Sequence, residues 1–392
     1  MRILLNGVST LRAKTGVGHT TANLHRALCD AATGDDTFWL YPGRTIAQAA
    51  GRFVGRPRGG SNGGGSSRLK TCLKEAAKAA YRLHLRAAAR WGGFDLYHEP
   101  NFVPVRTHLP TVVTVHDLSV VLHPEWHPAD RVAFHAKHFE AGLRQADHVV
   151  VVSESVRREL ITELGLPANR VTAVLNGIGD EFRPQAPDVV AAVRARLGLP
   201  GRYFLAVGTI EPRKNLLTLL RAFCDLPTAL REACPLLLAG GWGWKSEPER
   251  VFFESEAKAK GVRHLGYVAD ADLPALYAGA AALVYPSFYE GFGLPPVEIL
   301  ATGGGVLAST ATAVREVVGG YARLIDPYDL SGWRDALRDV AADPAALDDT
   351  RRGGVAHARR FSWAAAAGRT LGVYRSVLGL APAEPLSLRP AA

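Results

Sequence analysis

Residues 285–300 read YPSFYEGFGLPPVEIL. The preceding ALVYPS is a run for a buried strand, and Pro295 or Pro296 suits the first turn of a following helix, where proline gives up no needed hydrogen bond. Strand, glycine turn and helix form the repeating unit of a doubly wound α/β sheet, which places ligands at the carboxyl ends of its strands. Glu290 then falls at the strand's end and Glu298 in the first helical turn. Between them Phe292, Gly293 and Leu294 can offer backbone N–H groups to a bound oxygen, because glycine lets that backbone approach closely. Carboxylates accept hydrogen bonds from hydroxyls and amides donate to them, so the arrangement suits a polyol. Complementing the helix dipole, worth about 0.3–1 kcal/mol, would account for Glu298 but not for Glu290.

The same rhythm extends outward through both halves of the 392 residues, a length at which one core gives way to two. In the first half RILLNG is a strand, TGVGH a turn and TTANLHRALCDA a helix, with DLYHE, TVVTVH and HVVVVS as further strands. Prolines in EFRPQAPD, near residue 184, mark a linker. YFLAVGT, PLLLAGG, VRHLGYV, AALVYPS, GGVLAS and ARLIDP follow as strands. The expectation is two doubly wound domains, 1–183 and 184–362, facing a cleft. A helix over 363–380 is expected to pack back on the first domain. Residues 55–67, rich in glycine and serine, read as a flexible loop, and the proline-rich 381–392 as a disordered tail.

The net charge of +9 is concentrated in Arg68, Lys70, Lys74, Lys78, Arg82, Arg86 and Arg90, against the single Glu75. The predicted helix over 68–90 has an apolar side of Leu69, Leu73, Ala77, Ala80 and Leu83, so it suits either an anionic membrane surface or a solvated edge. It has few interleaved aromatics, which argues against nucleic acid. No run reaches the ~18 apolar residues of a membrane span, and MRILLNG lacks the form of a secretory signal. These features predict a cytoplasmic protein, peripheral on the inner membrane face if the basic helix docks there. Cys29, Cys72, Cys224 and Cys234 have no spacing for zinc or a disulfide framework.

In VGTIEPRKNLLTLLRAF, residues 207–223, the strand stops at Gly208 and a helix is predicted from about Asn215, with Leu216, Leu219, Leu220 and Phe223 inward. Arg213 and Lys214 thus precede a helix N-terminus that already favours anions, which makes a phosphate site; a surface basic pair is the plainer alternative. TGVGHT, residues 15–20, is a second glycine turn that could face the same anion, or a simple tight connection.

EGFGLPPVE with its E-x7-E spacing, GTIEPRKN and TGVGH together resemble the retaining glycosyltransferases of family 4, and the similarity runs from RILLNG to LIDPYD. That resemblance implies the GT-B fold of two Rossmann-like domains. TVHDLSVVLHPEWHP further resembles bacterial mannosyltransferases of surface-polysaccharide assembly. By position, Glu290 would contact the donor sugar, the amides of Gly291, Phe292, Gly293 and Leu294 its hydroxyls, and Glu298 the ribose. Arg213 and Lys214, with the turn at Gly16, Val17 and Gly18, would hold the diphosphate beyond Gly208. His116 would lie near the anomeric carbon, and the base against Gly266, Tyr267 and Val268. Thr209 stands where many members have arginine, and Gly305 where relatives often have proline. His19, Glu99, Asn101, Asp117 and Trp126 are acceptor candidates.

The resemblance also implies chemistry. Negative charge growing on the leaving phosphate would be met by Arg213, Lys214 and helix-end amides, with no metal or cofactor. Asp270 and Asp272 form an Asp-x-Asp, but they precede LPALYAGA and read as helix capping. Glu290 is assigned to positioning the sugar instead of attacking it. The expected co-substrate is a nucleotide-diphosphate sugar, GDP-mannose first, UDP-glucose or dTDP-rhamnose behind it. The acceptor would be a saccharide or lipid-linked saccharide. A nucleotide-sugar epimerase of the same fold is the alternative of another class.

Overall fold

The computed structural model describes residues 1–11, 16–42 and 67–381, the side chains of 67–75 excepted. The expected loop therefore lies outside the described residues apart from Ser67, and the expected tail apart from Ala381.

Two six-stranded sheets, parallel throughout, organise the chain. The first contains β1 (Arg2–Asn6), β2 (Thr37–Tyr41), β3 (Leu96–Glu99), β4 (Thr111–Val115), β5 (His148–Val151) and β6 (Val171–Ala173), in the spatial order β2-β1-β3-β4-β5-β6. The second contains β7 (Phe204–Val207), β8 (Leu236–Ala239), β9 (Arg263–Gly266), β10 (Ala282–Tyr285), β11 (Val306–Ser309) and β12 (Arg323–Ile325), in the order β12-β11-β10-β7-β8-β9. In each sheet the chain starts inside and turns both ways, so a crevice opens where the direction reverses: between β1 and β3, and between β7 and β10. Strands β2 and β6, unread in the sequence, are the two edges of the first sheet. β6, VTA, is only three residues, too short to leave an apolar run, while β2, TFWLY, is only partly buried.

The helix Leu216–Cys224 buries Leu216, Leu219, Leu220 and Phe223 as its spacing predicts, each worth about 1.5–3 kcal/mol. The linker ends where Pro187 opens the helix Pro187–Arg196. The helix Trp363–Val377 sends Ala367, Leu371 and Tyr374 into one core with Ile3, Leu5, Leu24 and Leu28 of the first lobe. There the Tyr374 hydroxyl lies 2.6 Å from His98 Nδ1.

The basic helix spans Ser67–Trp91, and its inward face differs from the sequence reading. Leu85 and Ala89 are buried against Leu4 and Tyr97, while Ala77, Ala80 and Leu83 point outward, Leu83 at 70% exposure. Weak apolarity on both sides of an alanine-rich helix left its inward face undetermined until the sheet supplied Leu4 and Tyr97 as partners. No described helix is long and apolar enough to cross a membrane.

Candidate active site between the lobes

The opening stretch folds as strand, turn and helix. Gly293 (φ +107°) precedes the helix Leu294–Ala301, and Pro295 and Pro296 lie in its first turn. Glu298 falls one residue later than expected, in the second turn, so it does not complement the helix end. It accepts a 2.8 Å hydrogen bond from the Tyr277 hydroxyl. Burial raises its carboxyl to about 7, against that hydrogen bond and with the help of the nearby Glu181 and Asp270.

Glu290 has different company. Arg213 Nη1 donates to its Oε2 at 2.6 Å and Lys214 Nζ to its Oε1 at 2.5 Å. Burial alone would raise this carboxyl, but the two cations outweigh it and hold it at about 2. Lys214 also donates to the Tyr285 hydroxyl at 3.0 Å. Arg213 Nε pairs with Glu211 Oε1 at 2.6 Å, and Glu211 is only 2% exposed. The sequence reading set Arg213 and Lys214 aside for phosphate and Glu290 for sugar. The structure instead closes them, with Glu211, into a buried cluster of two cations and two anions whose formal charges cancel.

These groups converge because both backbones leave the crevice between β7 and β10. Pro212–Lys214 form a single 3-10 turn, and Asn215 (φ +54°) reverses the chain into the helix Leu216–Cys224. Asn215 Nδ2 donates to the carbonyls of Pro286 and Pro327, fixing that turn to the opening stretch. A cavity here is lined by Gly208, Thr209, Lys214, Tyr285 and Ser287. Ser287 Oγ and Glu211 Oε2 are buried with no hydrogen-bond partner among the described residues. Such groups are costly unless a ligand or solvent completes them.

The first lobe meets this cluster through Gly291. A Cβ there would lie 1.7 Å from the His116 carbonyl oxygen, so only glycine permits the contact. His116 follows β4, and its Nε2 lies 2.8 Å from the Pro100 carbonyl, which can only accept; Nε2 is therefore the protonated nitrogen. Burial lowers its pKa, which favours the neutral ring. The Tyr289 hydroxyl bridges the lobes, accepting from Leu118 N at 3.0 Å and donating to Glu159 at 2.5 Å. Glu316 of the second lobe accepts from Glu154 N and Ser155 N, at 2.8 and 2.9 Å.

Other predicted residues are distributed differently. Gly16, Val17 and Gly18 are not a turn but the start of the helix Gly16–Asp30; the intrahelical pattern extends through both glycines. His19 on that helix stands 4.0 Å from Asp270 across the cleft. Asp272 is at a helix start but makes no cap: its carboxylate is bound by Arg196, with one contact of 3.0 Å from Nη1. A charged guanidinium outcompetes a backbone amide for it. Asp117 Oδ1 accepts from Ser119 N and Oγ, at 2.9 and 2.6 Å. Trp126 stacks between His123 and Phe288, making it part of the contact between lobes. At the end of β9, Gly266 has φ +67°, Val268 is buried and Tyr267 is 74% exposed. Glu99 and Asn101 stand together at the end of β3, apart from the ion cluster: Glu99 accepts from Asn6 Nδ2 at 2.6 Å, Tyr97 at 2.7 Å and Asn101 N at 3.1 Å.

Glu211, Tyr285, Tyr289, Glu159, Asn6 and Tyr81 were missed as site residues. Glu211 and Tyr285 sit inside the motifs already singled out. Asn6 ends a strand, which is where open sheets place ligands. Glu159 and Tyr81 lie in mid-helix and carry no signal of their own.

Two sheets with a charged cleft between them define a class of enzyme, and comparison with known proteins agrees. Residues 15–182 match the model of Glycosyltransferase Family 4, and 193–356 that of Glycosyl transferases group 1. The chain is 36% identical over 302 residues to O-antigen chain mannosyltransferase B of Escherichia coli, covering 76% of this chain and 79% of that protein. It is 30% identical over 265 residues to the serotype-specific mannosyltransferase WbdA of the same species, covering 65% of this chain and 32% of WbdA. Anabaena Alr3699/HepE, solved in complex with UDP and glucose, superposes with a TM-score of 0.70 at 18% identity, covering 96% of this chain and 100% of that one. The chain belongs to glycosyltransferase family 4. It has the GT-B fold and is a hexosyltransferase.

Proposed function

We propose that the chain is a retaining mannosyltransferase, moving mannose from GDP-mannose onto a saccharide or lipid-linked saccharide acceptor in cell-surface polysaccharide synthesis. The observation that carries this reading is the ion cluster of Glu290, Arg213 and Lys214, which Lys214 joins to a cavity it lines with Ser287 and which Gly291 places against His116. The identity to O-antigen chain mannosyltransferase B supports mannose as the sugar and polysaccharide as the product class.

In this reading Glu290 exchanges its cations for sugar hydroxyls when the donor arrives. Arg213 and Lys214 then turn to the diphosphate, whose leaving charge they stabilise, while Glu211 keeps Arg213 in place. The amides of Gly291 to Leu294 bind the sugar, Glu298 accepts from the ribose, and the base rests against Gly266, Tyr267 and Val268. The neutral His116 lies at the reacting face. The two cations are assigned the role a metal would otherwise have, so no metal or cofactor is given a step.

The reading includes a cytoplasmic enzyme at the inner membrane face, held by Arg82, Arg86 and Arg90, which are exposed beside Leu83 and Trp91. Such a face would attract anionic lipid and bury its apolar residues at the interface.

A thermal-shift panel of GDP, UDP and dTDP tests the donor. GDP at 100 times its dissociation constant should stabilise the fold by about 2.7 kcal/mol; a response to UDP or dTDP alone would overturn the assignment. Proton NMR of the product from GDP-mannose should show the anomeric configuration of the donor. Sedimentation with anionic vesicles should be lost when Arg82, Arg86 and Arg90 become glutamine.

A further inference from the structure

The loop after β8, residues 240–246 (GGWGWKS), belongs to the second lobe and ends in a grip on the first. Trp244 Nε1 donates to the Trp126 carbonyl at 3.0 Å, and Lys245 Nζ to the Glu125 carbonyl at 2.7 Å. From the helix Ala129–Gln145 the Arg131 guanidinium lies over the Trp244 ring, 4.1 Å from its centre. Lys245 has φ +51°, one of three non-glycine residues with positive φ among those described. A lysine keeps that conformation only where its surroundings impose it, and here the grip on both neighbouring side chains does so.

The other end of the loop is joined to the cavity beside the ion cluster. Ile210 N donates to the Gly241 carbonyl at 2.9 Å, and Gly243 N to the Ile210 carbonyl at 2.8 Å. A Cβ on Gly240 would lie 2.1 Å from the Gly208 carbonyl oxygen, and one on Gly243 would lie 2.6 Å from Thr209 Cγ2 and 2.7 Å from the Ile210 carbonyl oxygen. Glycine at both positions therefore lets the loop lie directly against Gly208, Thr209 and Ile210, all of which line the cavity. With backbone on backbone and no long side chain between, a shift of the loop cannot be absorbed by a rotamer change and is passed to residues 208–210. Trp126 is held from a second direction, its ring stacked on Phe288 at 6.0 Å. The residues just before Phe288, Tyr285 to Ser287, also line the cavity.

We propose that residues 240–246 are a strap through which the first lobe sets the shape of the donor cavity, with Trp244 as its positioning residue. Arg131 and Trp126 hold the strap, and the strap holds Gly208 to Ile210 in the geometry that receives the nucleotide. Affinity on the second lobe is then coupled to Arg131, a first-lobe side chain that is not among those lining the cavity. The inference rests on the reading of that cavity as the nucleotide-sugar site.

Two measurements on the full chain test it. In hydrogen–deuterium exchange without ligand, Arg131→Ala and Trp244→Ala should each speed exchange at the Ile210 and Gly243 amides while those of β5 in the first sheet stay unmoved. Arg131 is exposed, so its variant keeps the test decisive if Trp244→Ala fails to fold. In calorimetry with GDP, UDP and dTDP as probes, the nucleotide that binds the wild type should lose about fivefold or more in affinity in each variant. The double variant should lose no more than the weaker-binding single one, because both cut the same connection. Arg131→Lys keeps a cation over the ring and should retain affinity within about twofold. A merely structural contact would lower the melting temperature and leave affinity alone. Unchanged exchange at Ile210, unchanged nucleotide affinity in Arg131→Ala, or additive losses in the double variant would each overturn the proposal. The expected exchange in a chain that binds none of the three nucleotides would instead overturn the donor reading and leave the strap standing.

Discussion

Glu290 and Glu99 are both buried at the crevice of their own sheets, Glu99 as the last residue of β3 and Glu290 in the loop after β10, yet their surroundings drive them in opposite directions. Glu290 faces two cations and is held at about 2. Glu99 faces only neutral donors, Tyr97, Asn6 and the Asn101 amide, and burial outweighs them to raise it to about 7. The difference shows that burial does not set a carboxylate's charge by itself; formal charge within hydrogen-bond reach does. One crevice is thus organised around fixed ion pairs and suits a charged ligand, while the other is neutral or singly charged near pH 7 and suits hydroxyls.

The largest effect is expected where the two crevices are brought together. Gly291→Ala puts a methyl group into the His116 carbonyl, so the lobes must part by about an ångström or more, and such displacement costs on the order of 100-fold in rate. The transfer rate from GDP-mannose checks this, with nucleotide-induced thermal stabilisation as the control that the second lobe is intact. Normal turnover would mean that the contact between Gly291 and His116 is not kept during reaction.

Glu290→Gln should come next. It leaves two cations facing Glu211 alone, and removing one partner from a buried pair typically costs about 3–5 kcal/mol. Chemical denaturation at pH 7 measures the loss. A smaller cost at pH 3, nearer the carboxyl's own pKa, would confirm that charge is responsible.

The contrast in pKa predicts opposite pH slopes. Glu290 has a depressed pKa, so its stabilisation is present above the ordinary carboxyl value of about 4.5 and is lost as pH falls through about 2. Glu99 has a raised pKa, so the folded state binds more protons between about 4.5 and 7, and stability falls as pH rises through that window. Glu298 contributes a slope of the same sign. Between pH 5 and 7 the wild-type midpoints should therefore carry a downward contribution that Glu99→Gln removes, set against the upward contribution of buried histidines such as His98 and His127, whose pKa burial lowers. An unchanged slope would show that Glu99 is ionised throughout.

The smallest effect is expected at the clasp between lobes. Glu316→Ala removes the acceptor for two amides at the start of the helix Glu154–Leu164, and losing a cap of this kind costs about 1 kcal/mol. A melting-temperature shift measures it.

Much of this architecture was legible because parallel strands buried on both faces leave continuous apolar runs, as TVVTV and LLLA do, and because glycine and proline mark the turns between them. Glu290, Arg213 and Lys214 were legible as candidate site residues for the same reason: they follow strand ends. Their pairing was not, since Arg213 and Glu290 lie 77 positions apart and nothing local records the contact. Gly291 was read as a turn glycine that lets backbone approach a ligand, whereas its nearest neighbour is the first lobe. Gly16 and Gly18 were read as a turn, whereas the helix already begins at Gly16 and places both glycines in its first turn.

By itself the sequence determined the two doubly wound lobes, the crevices at their strand ends and the residue types gathered there, because these follow from hydrophobic runs and turn chemistry along the chain. Tertiary structure alone decided which carboxylates are charged, which face of the basic helix is inward, and that Asn6, Tyr81 and Glu99 form a polar network. Each of those depends on distances between residues far apart in the chain, and Coulomb and hydrogen-bond energies are set by such distances and by the burial that accompanies them.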